Sequence, residues 1–152
     1  MATLELWVHI NATPEQVWDV IADLETQQRW MVDLRSLDFT TESRSGAGTE
    51  VDVVSELFGL PLVKDKMRIT SWQPPFRYDV AHVGQFTGTG AFVLQPAAGG
   101  TLFTWREDFK PPLGPLGELG FMLIVGPHLR RVFTRSIENV KRLAEARDHE
   151  TS

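Results

Sequence analysis

Apolar side chains occupy every second position near the start of the chain, and this pattern predicts the first strand. The apolar positions are Leu4, Leu6, Val8 and Ile10. Because successive side chains of a strand point to opposite faces, these four share one face, and that face is expected to be buried. The protein is therefore predicted to begin with a half-buried β-strand.

A short helical region is predicted after this strand. Thr13 can accept a hydrogen bond from the backbone of Gln16, Gln16 can bond back to Thr13, and the backbone angle of Pro14 suits the first helical turn. Apolar residues then recur at helical spacing, at Val17, Trp18, Ile21 and Leu24. The sequence predicts a helix that begins at Pro14 and a second short helix over Glu25–Trp30.

Residues 34–110 return to a period of two, which indicates strands. Turn signals interrupt this region at Ser45-Gly46-Ala47-Gly48, Gly59-Leu60-Pro61, Pro74-Pro75, Val83-Gly84 and residues 97–100. No helical pattern lies between the turns, so the strands are expected to pair as an antiparallel meander rather than as βαβ units. Six strands are predicted here, and seven in the chain.

The last part of the chain has the spacing of one long amphipathic helix. Its apolar stripe comprises Leu119, Leu123, Gly126, Leu129, Phe133, Ile137, Val140 and Ala144. Pro127 cannot donate a hydrogen bond to the carbonyl of Leu123, so the helix is expected to kink or restart at Gly126-Pro127. Such a hinge could control the entry of a ligand.

These elements define an α+β protein in which an antiparallel sheet buries one face against the last helix. A seven-stranded sheet twists and curls, and a helix about 10 Å wide cannot fill its whole concave side. We therefore predict a single domain over residues 1–146, with a cavity between sheet and helix, and a disordered tail over residues 147–152.

Several of these local patterns occur together in a known family. They are the segment Ala12–Trp18, Trp30, the Gly46-x-Gly48 turn, the Trp72-x-Pro74-Pro75-x-Arg77-Tyr78 step and the closing amphipathic helix. Together they resemble the polyketide cyclase/dehydrase and lipid-transport group of the SRPBCC superfamily, which is related to START domains and the birch pollen allergen. The resemblance covers nearly the whole chain and implies a helix-grip fold with a deep apolar cavity. Members range from carriers of hydrophobic molecules to aromatase/cyclases, so it implies a fold rather than one activity.

Strict alternation along each strand predicts which side chains face this cavity. The predicted ligand contacts on the strands are Val53, Ser55, Met67, Ile69, Tyr78, Val80, His82, Phe86, Gly88, Phe92, Phe103, Trp105 and Glu107. The C-terminal helix is predicted to add Leu123, Gly126, Leu129 and Phe133. Phe76 is also placed inward and Glu56 outward, while Gly88 and Gly90 are expected to leave open space.

Asp65, His82 and Glu107 are the charged or titratable exceptions on this inward face. A buried carboxylate must be paired, protonated or hydrated, because burying it alone is costly. Each residue also has a surface alternative: Asp65 at a hairpin end or bulge, His82 at a strand end, and Glu107 in a salt bridge at the rim. If the three converge, His82 could act as a general base with Asp65 or Glu107 as its acid or orienting partner.

Composition removes several classes of function. The chain has 152 residues, enough for one domain, and its 15 basic and 20 acidic residues leave no surplus of cations for nucleic acid. The absence of cysteine excludes disulfides and thiolate sites and fits a cytoplasmic location. The start of the chain does not read as a signal peptide, and the longest apolar run, Leu119–Val125, is too short for stable membrane insertion.

No GxSxG, HExxH, phosphate-loop or dinucleotide motif occurs and the four histidines are widely separated, so neither a cofactor nor a metal is expected. The favoured hypothesis is a carrier, monomeric or homodimeric, that binds a small hydrophobic molecule such as a lipid, isoprenoid or polyketide. Two alternatives stay open. One is a polyketide aromatase/cyclase or dehydratase that uses His82 with Asp65 or Glu107. The other is a protein-interaction module that uses Leu113–Val125 or an exposed strand edge.

Overall fold

The computed structural model describes residues 2–84, 87–111 and 114–151, with side chains as far as residue 147, and its elements follow the predicted order. Within these residues the seven strands are β1 (Ala2–Ile10), β2 (Leu34–Phe39), β3 (Glu50–Leu57), β4 (Leu60–Gln73), β5 (Arg77–Val83), β6 (Thr87–Ala97) and β7 (Gly100–Lys110). The helical elements are α1 (Pro14–Ile21), a 3₁₀ helix (Leu24–Arg29), α2 (Gly114–Gly120), a π-helical turn (Phe121–Val125) and α3 (Gly126–Thr151).

The strands in the described part of the chain form one antiparallel sheet with the order β1-β7-β6-β5-β4-β3-β2. Strands β2 to β6 each pair with the next strand along the chain, which confirms the predicted meander. Strand β1 pairs with β7, with Leu6 opposite Trp105, and so lies at the edge of the sheet farthest from β2. This curved sheet with a long C-terminal helix is the helix-grip fold that the sequence predicted.

The start of α1 has the predicted capping interactions. Thr13 Oγ1 accepts a hydrogen bond of 3.2 Å from Gln16 N–H, and Gln16 Oε1 accepts one of 2.8 Å from Thr13 N–H. Together they satisfy two backbone donors that the first turn would leave without partners. The second predicted helix is the 3₁₀ helix, and Asp23 Oδ1 caps it by accepting a hydrogen bond of 3.2 Å from Glu25 N–H.

The C-terminal helical region changes its winding just before Pro127, as predicted. In the π-helical turn Gly126 N–H donates to the carbonyl of Phe121, five residues earlier. Pro127 has no N–H to donate, so the wider turn accommodates the residue that would interrupt an α-helix. Helix α3 then continues to Thr151, past the predicted domain end at residue 146, and the boundary itself stays a prediction.

Helix α3 packs chiefly against β1 and α1, at one side of the concave face of the sheet. Its buried apolar side chains are Phe133, Ile137, Val140 and Ala144. The Phe133 ring stacks on that of Trp105 with 4.2 Å between ring centroids, which anchors the helix to β7. Because the helix covers β1 and α1, the inward faces of the central strands keep space beside it.

Trp18 and Trp30 are buried core residues. The Trp18 ring meets that of Trp72 edge to face at 5.0 Å, and the Trp30 ring meets that of Trp105 in the same way at 5.9 Å. Such aromatic pairs add to the stabilisation that burial provides. They connect α1 and the loop after the 3₁₀ helix to the sheet, and so fix one wall of the space described next.

Candidate functional site

An apolar cavity of about 140 Å³ lies between the sheet, the 3₁₀ helix and the C-terminal helices. The predicted contact residues that line it are Val53, Ser55, Met67, Ile69, Tyr78, Val80, His82, Phe92, Trp105, Glu107, Leu129 and Phe133. An engineered cavity of about 150 Å³ in another protein stays dry and binds benzene, so a volume of this order accommodates one aromatic ring.

Four predicted contacts do not line this cavity, which corrects the predicted lining: Gly88, Phe103, Leu123 and Gly126. Phe103 points inward but is completely buried, packed beside Phe92 in the core. Leu123 lies in the π-helical turn and is 68% exposed, because a π turn adds a residue per turn and rotates the apolar stripe. Gly126 borders a separate surface depression that Ala2 and Leu4 of β1 also line. Phe86 lies outside the described residues.

Two further orientations differ from strict alternation. The sheet register shifts between Ser55 and Leu57, and with this bulge Glu56 also borders the cavity. Its carboxylate pairs with the exposed Arg35 and stays partly exposed, as an outward-facing side chain would. Phe76 lies in the turn before β5 and is largely exposed, rather than continuing the inward face of the strand. In both cases a local irregularity ends the period of two on which the prediction depended.

The three titratable residues of the inward face converge. His82 Nδ1 lies 2.7 Å from Asp65 Oδ2, and His82 Nε2 lies 2.9 Å from Glu107 Oε2. The other carboxylate oxygens are also engaged: Gly84 N–H donates to Asp65 Oδ1 at 3.1 Å, and Trp105 Nε1–H donates to Glu107 Oε1 at 2.9 Å. We call Asp65, His82 and Glu107 the acid–histidine triad.

The triad joins three strands, and two glycines make room for it. Asp65 is on β4, His82 on β5 and Glu107 on β7, so Glu107 must reach past β6. A Cβ atom at Gly90 of β6 would lie 2.6 Å from Glu107 Oε1, and one at Gly84 would lie 2.5 Å from Asp65 Oδ1. The space predicted at Gly90 is therefore filled by the Glu107 carboxylate.

The triad is buried and charged. Burial would lower the pKa of His82, but the hydrogen bonds and negative charges of Asp65 and Glu107 outweigh it and raise this pKa to about 10. Both ring nitrogens face carboxylates, which only accept when ionised, so both act as N–H donors. His82 is thus an imidazolium at neutral pH, and the surface alternatives for all three residues are wrong.

Tyr78 is completely buried beside this group. Its hydroxyl donates a hydrogen bond of 2.8 Å to the carbonyl of Ile21, at the end of α1. Burial, and secondarily the charge of Glu107, raises the pKa of Tyr78 above its ordinary value. The phenol therefore ties the sheet to α1 and keeps its proton.

Sequence reasoning missed three buried or half-buried polar residues of the cavity wall, namely Gln27, Asp33 and Thr49. Asp33 lies in the turn between the 3₁₀ helix and β2, where its carbonyl accepts a hydrogen bond of 2.7 Å from Glu56 N–H. Burial raises the pKa of Asp33 to about 6, opposed by its own backbone and reinforced by the charges of Glu107 and Glu56. A lone acid within the otherwise apolar run 30–34 was the available signal.

The described residues contain neither a membrane-spanning helix nor a cluster of metal-ligating side chains. None of the helices in that part of the chain is both long and apolar enough to cross a membrane. Within the same residues, no group of three or more histidine, aspartate or glutamate side chains has the arrangement of a metal site. In the triad the two carboxylates bond directly to the imidazole, so its polar atoms face one another.

Comparisons with known proteins agree with this architecture. The chain is 29% identical to the uncharacterised protein Rv2574 of Mycobacterium tuberculosis (strain ATCC 25618 / H37Rv) over 150 residues, which cover 92% of this chain and 83% of that protein. The crystal structure of TTHA0849 from Thermus thermophilus superposes with a TM-score of 0.77 at 20% identity, covering 95% of this chain and 98% of that one. Ara h 8.0201 superposes with a TM-score of 0.71 at 15% identity, with coverage of 95% and 98%.

At these identities the two structural likenesses show the fold alone. The sequence itself matches a family model over residues 1–145, and the description of that family is polyketide cyclase / dehydrase and lipid transport. The match spans β1, the whole meander and most of α3, and so includes every described residue that lines the cavity. The chain belongs to the polyketide cyclase/dehydrase and lipid transport family.

Proposed function

We propose that this protein binds a small hydrophobic molecule in the cavity between the sheet and the C-terminal helices. The observation that carries the proposal is the apolar cavity of about 140 Å³. It lies in a core in which the ring of Trp105 packs against the rings of Phe92 and Phe133. At about 24 cal/mol per Å³, an empty cavity of this size costs on the order of 3 kcal/mol of stability. A molecule that fills it restores the missing van der Waals contacts.

Membership of a family described by lipid transport and by cyclase/dehydrase chemistry supports a small organic ligand. The apolar lining, which includes Val53, Ile69 and Phe92, supports a ligand that is apolar over most of its surface. The volume supports a molecule, or a part of one, about the size of a single ring.

Ligand binding receives more support than catalysis by His82. A general base needs a free lone pair within reach of the proton that it removes. Both nitrogens of His82 are engaged with Asp65 and Glu107, and the raised pKa keeps the ring protonated. The hydroxyl of Tyr78 is likewise engaged with the carbonyl of Ile21. These contacts favour a structural role for the triad, which pairs charges inside the wall of the cavity.

An exposed apolar surface favours a second candidate function, self-association. The exposed side chains are on α2 and the π-helical turn: Leu116, Leu119, Met122, Leu123 and Ile124. Exposed apolar patches are typical of contact surfaces. If two copies bury this surface, the double variant Leu116→Ser, Leu123→Ser should be monomeric in sedimentation velocity at concentrations where the wild type is dimeric. A wild type that is monomeric throughout would exclude this candidate.

The test of ligand binding uses p-xylene, an uncharged probe of one ring. We expect saturable binding of one equivalent by NMR titration, together with a rise in Tm, because a ligand that binds only the native state stabilises it. Val53→Phe places a larger side chain in the cavity and should abolish binding. Val54→Phe is the matched control, because Val54 is the next residue of β3 and does not line the cavity.

Two results would contradict the proposal. One is the absence of saturable p-xylene binding by the folded wild type, as judged by its NMR spectrum. The other is equal binding by the Val53→Phe and Val54→Phe variants, which would place the probe elsewhere on the protein.

A further inference from the structure

Hydrogen-bonding groups without partners are concentrated at one end of the cavity wall. Among the described residues, three buried side-chain atoms lack a hydrogen-bond partner: Gln27 Oε1, Trp30 Nε1 and Asp33 Oδ1. All three belong to the segment between residues 27 and 33, and Gln27 and Asp33 line the cavity. Most buried polar atoms of native proteins have a partner, so two unpaired acceptors on one cavity wall need an explanation.

The orientation of the Gln27 side chain follows from its neighbour. Gln27 is 3% exposed, and its Nε2 lies 3.7 Å from the sulfur of Met31. A thioether sulfur accepts hydrogen bonds but cannot donate them, so the amide nitrogen is the group that faces Met31. The carbonyl oxygen Oε1 is left without a donor, like Asp33 Oδ1 six residues later.

The acids of the triad differ from Gln27 and Asp33 in their hydrogen bonding. Every carboxylate oxygen of Asp65 and Glu107 accepts a hydrogen bond from a protein donor. These acids are therefore complete without a ligand. Gln27 and Asp33 have acceptor capacity left over, and leaving such a group unsatisfied in a buried site costs stability.

The charges around the cavity determine which kind of group can complete these acceptors. The described lining residues include four acids, Asp33, Glu56, Asp65 and Glu107, and one imidazolium, His82, with no lysine or arginine. Glu56 is paired with Arg35, which leaves three acids and the one imidazolium. A ligand carboxylate would add a negative charge and offers no donor at neutral pH. A hydroxyl group supplies a donor without adding charge.

We infer that the ligand is a small, mostly apolar molecule with a neutral hydrogen-bond donor, such as a phenol or alcohol hydroxyl, which donates its proton to Gln27 Oε1 or Asp33 Oδ1. The inference rests on the proposed function and specifies it. Ligands whose only polar group is a carboxylate, such as fatty acid anions, are disfavoured at this site.

The experiment compares three probes of nearly the same shape: p-cresol, which carries a hydroxyl; p-xylene, which carries a methyl group in its place; and p-toluate, which carries a carboxylate. Binding is measured by NMR titration at pH 7. We expect p-cresol to bind at least as tightly as p-xylene, although its transfer out of water is less favourable, and p-toluate to bind at least tenfold more weakly than either.

Variants then assign the preference to the two acceptors. Gln27→Met and Asp33→Leu each replace an acceptor by an apolar side chain, and the variant that removes the acceptor of the hydroxyl proton should raise the ratio of the p-cresol Kd to the p-xylene Kd about tenfold. The matched control is Gln28→Met, because Gln28 is exposed and bonds instead to the carbonyl of Arg35. The control should leave this ratio at its wild-type value. If either variant fails to fold, the alanine variant at the same position replaces it.

The outcomes separate the inference from the function on which it rests. If p-xylene binds but p-cresol binds more weakly in proportion to its poorer transfer from water, the inference is wrong and the proposed function stands. An unchanged Kd ratio in both variants, or tight binding of p-toluate, would also overturn the inference. If no probe binds, both fail.

Discussion

The carboxylate of Glu107 reaches the imidazole of His82 across an intervening strand, with 2.9 Å between Glu107 Oε2 and His82 Nε2. Glu107 is on β7 and His82 on β5, and the strand between them is β6. Gly90 of β6 lies directly opposite Glu107 in the sheet register and has no side chain to block the path. This arrangement connects strands that are not neighbours and pairs the buried charges.

The first prediction concerns this path. We expect Gly90→Ala to lower the free energy of unfolding by at least about 2 kcal/mol, because its Cβ would lie 2.6 Å from Glu107 Oε1 and 3.0 Å from Val80 Cγ2. Urea unfolding measures the change. Gly120→Ala is the matched control: its Cβ meets nothing within 4 Å, and in a helix alanine should stabilise by about 0.5–1 kcal/mol. Equal effects of the two substitutions would contradict the prediction.

The second prediction is a loss of stability at alkaline pH. The folded-state pKa of His82 is raised to about 10, whereas an unperturbed histidine titrates near 6.5. The folded state therefore holds the proton more tightly than the unfolded state. This contribution to stability is complete below about pH 6.5 and is lost as pH rises through about 10.

The measurement follows the His82 ring by NMR and the free energy of unfolding by urea from pH 6 to pH 10.5. His82→Gln should remove this part of the pH dependence and lower stability by about 3–5 kcal/mol at pH 7, because it leaves two buried carboxylates without their cation. His9→Gln is the control, since His9 lies away from the triad on β1. A His82 ring that titrates near pH 6.5 would contradict the assignment of an imidazolium.

The third prediction concerns a lower pH range. Asp33 has its folded-state pKa raised from 3.8 to about 6, so its ionisation opposes folding. The contribution of Asp33 to stability should fall as pH rises from about 4 to about 6 and then stay constant. The loss is at most about 3 kcal/mol and is smaller where water reaches this half-buried side chain.

Asp33→Asn should remove this pH dependence and stabilise the ligand-free protein at pH 7. Asp38→Asn is the matched control, because Asp38 is exposed on β2. Urea unfolding between pH 4 and pH 7 gives the comparison. If the two variants behave alike, Asp33 is hydrated in the native state and the account of its environment is wrong.

The sequence predicts the structure of this protein well where the hydrophobic period of a strand or helix is uninterrupted. The period of two predicted the antiparallel meander and correctly placed Val53, Tyr78 and Trp105 on the inward face. It failed at Leu123 and only in part at Glu56, where a π-helical turn and a β-bulge, respectively, shift the phase of the pattern. Such irregularities depend on tertiary packing, which a local pattern does not contain.

The candidate site, too, depends on tertiary contacts that the local sequence pattern does not contain. Alternation placed Asp65, His82 and Glu107 on one face but could not show contact, because contact between β5 and β7 depends on the absence of a side chain at Gly90. Asp33 was missed because it lies in an irregular turn, where no period assigns a face. Its position became visible only with the fold.

The last prediction concerns exchange of ligand with solvent. The tip of the β3–β4 hairpin contacts the start of α3: Phe58 N–H donates a hydrogen bond of 3.1 Å to His128 Nε2, and the two rings lie 4.4 Å apart. Residues beside both partners line the cavity, namely Leu57 on the hairpin and Leu129 on the helix. This contact therefore holds together two walls of the cavity next to the π-helical turn, where the sequence predicted a hinge.

His128→Ala removes both the hydrogen bond and the ring contact, which together are worth on the order of 1–2 kcal/mol. Opening of this end should become easier, so the dissociation rate of p-xylene, measured by NMR exchange, should rise about five- to thirtyfold. The association rate should rise as well, because the same opening admits the ligand. Arg131→Ala, at an exposed position of the same helix, should leave both rates unchanged. Unaltered exchange in His128→Ala would mean that the ligand enters elsewhere, and that the hairpin contact serves only to stabilise the fold.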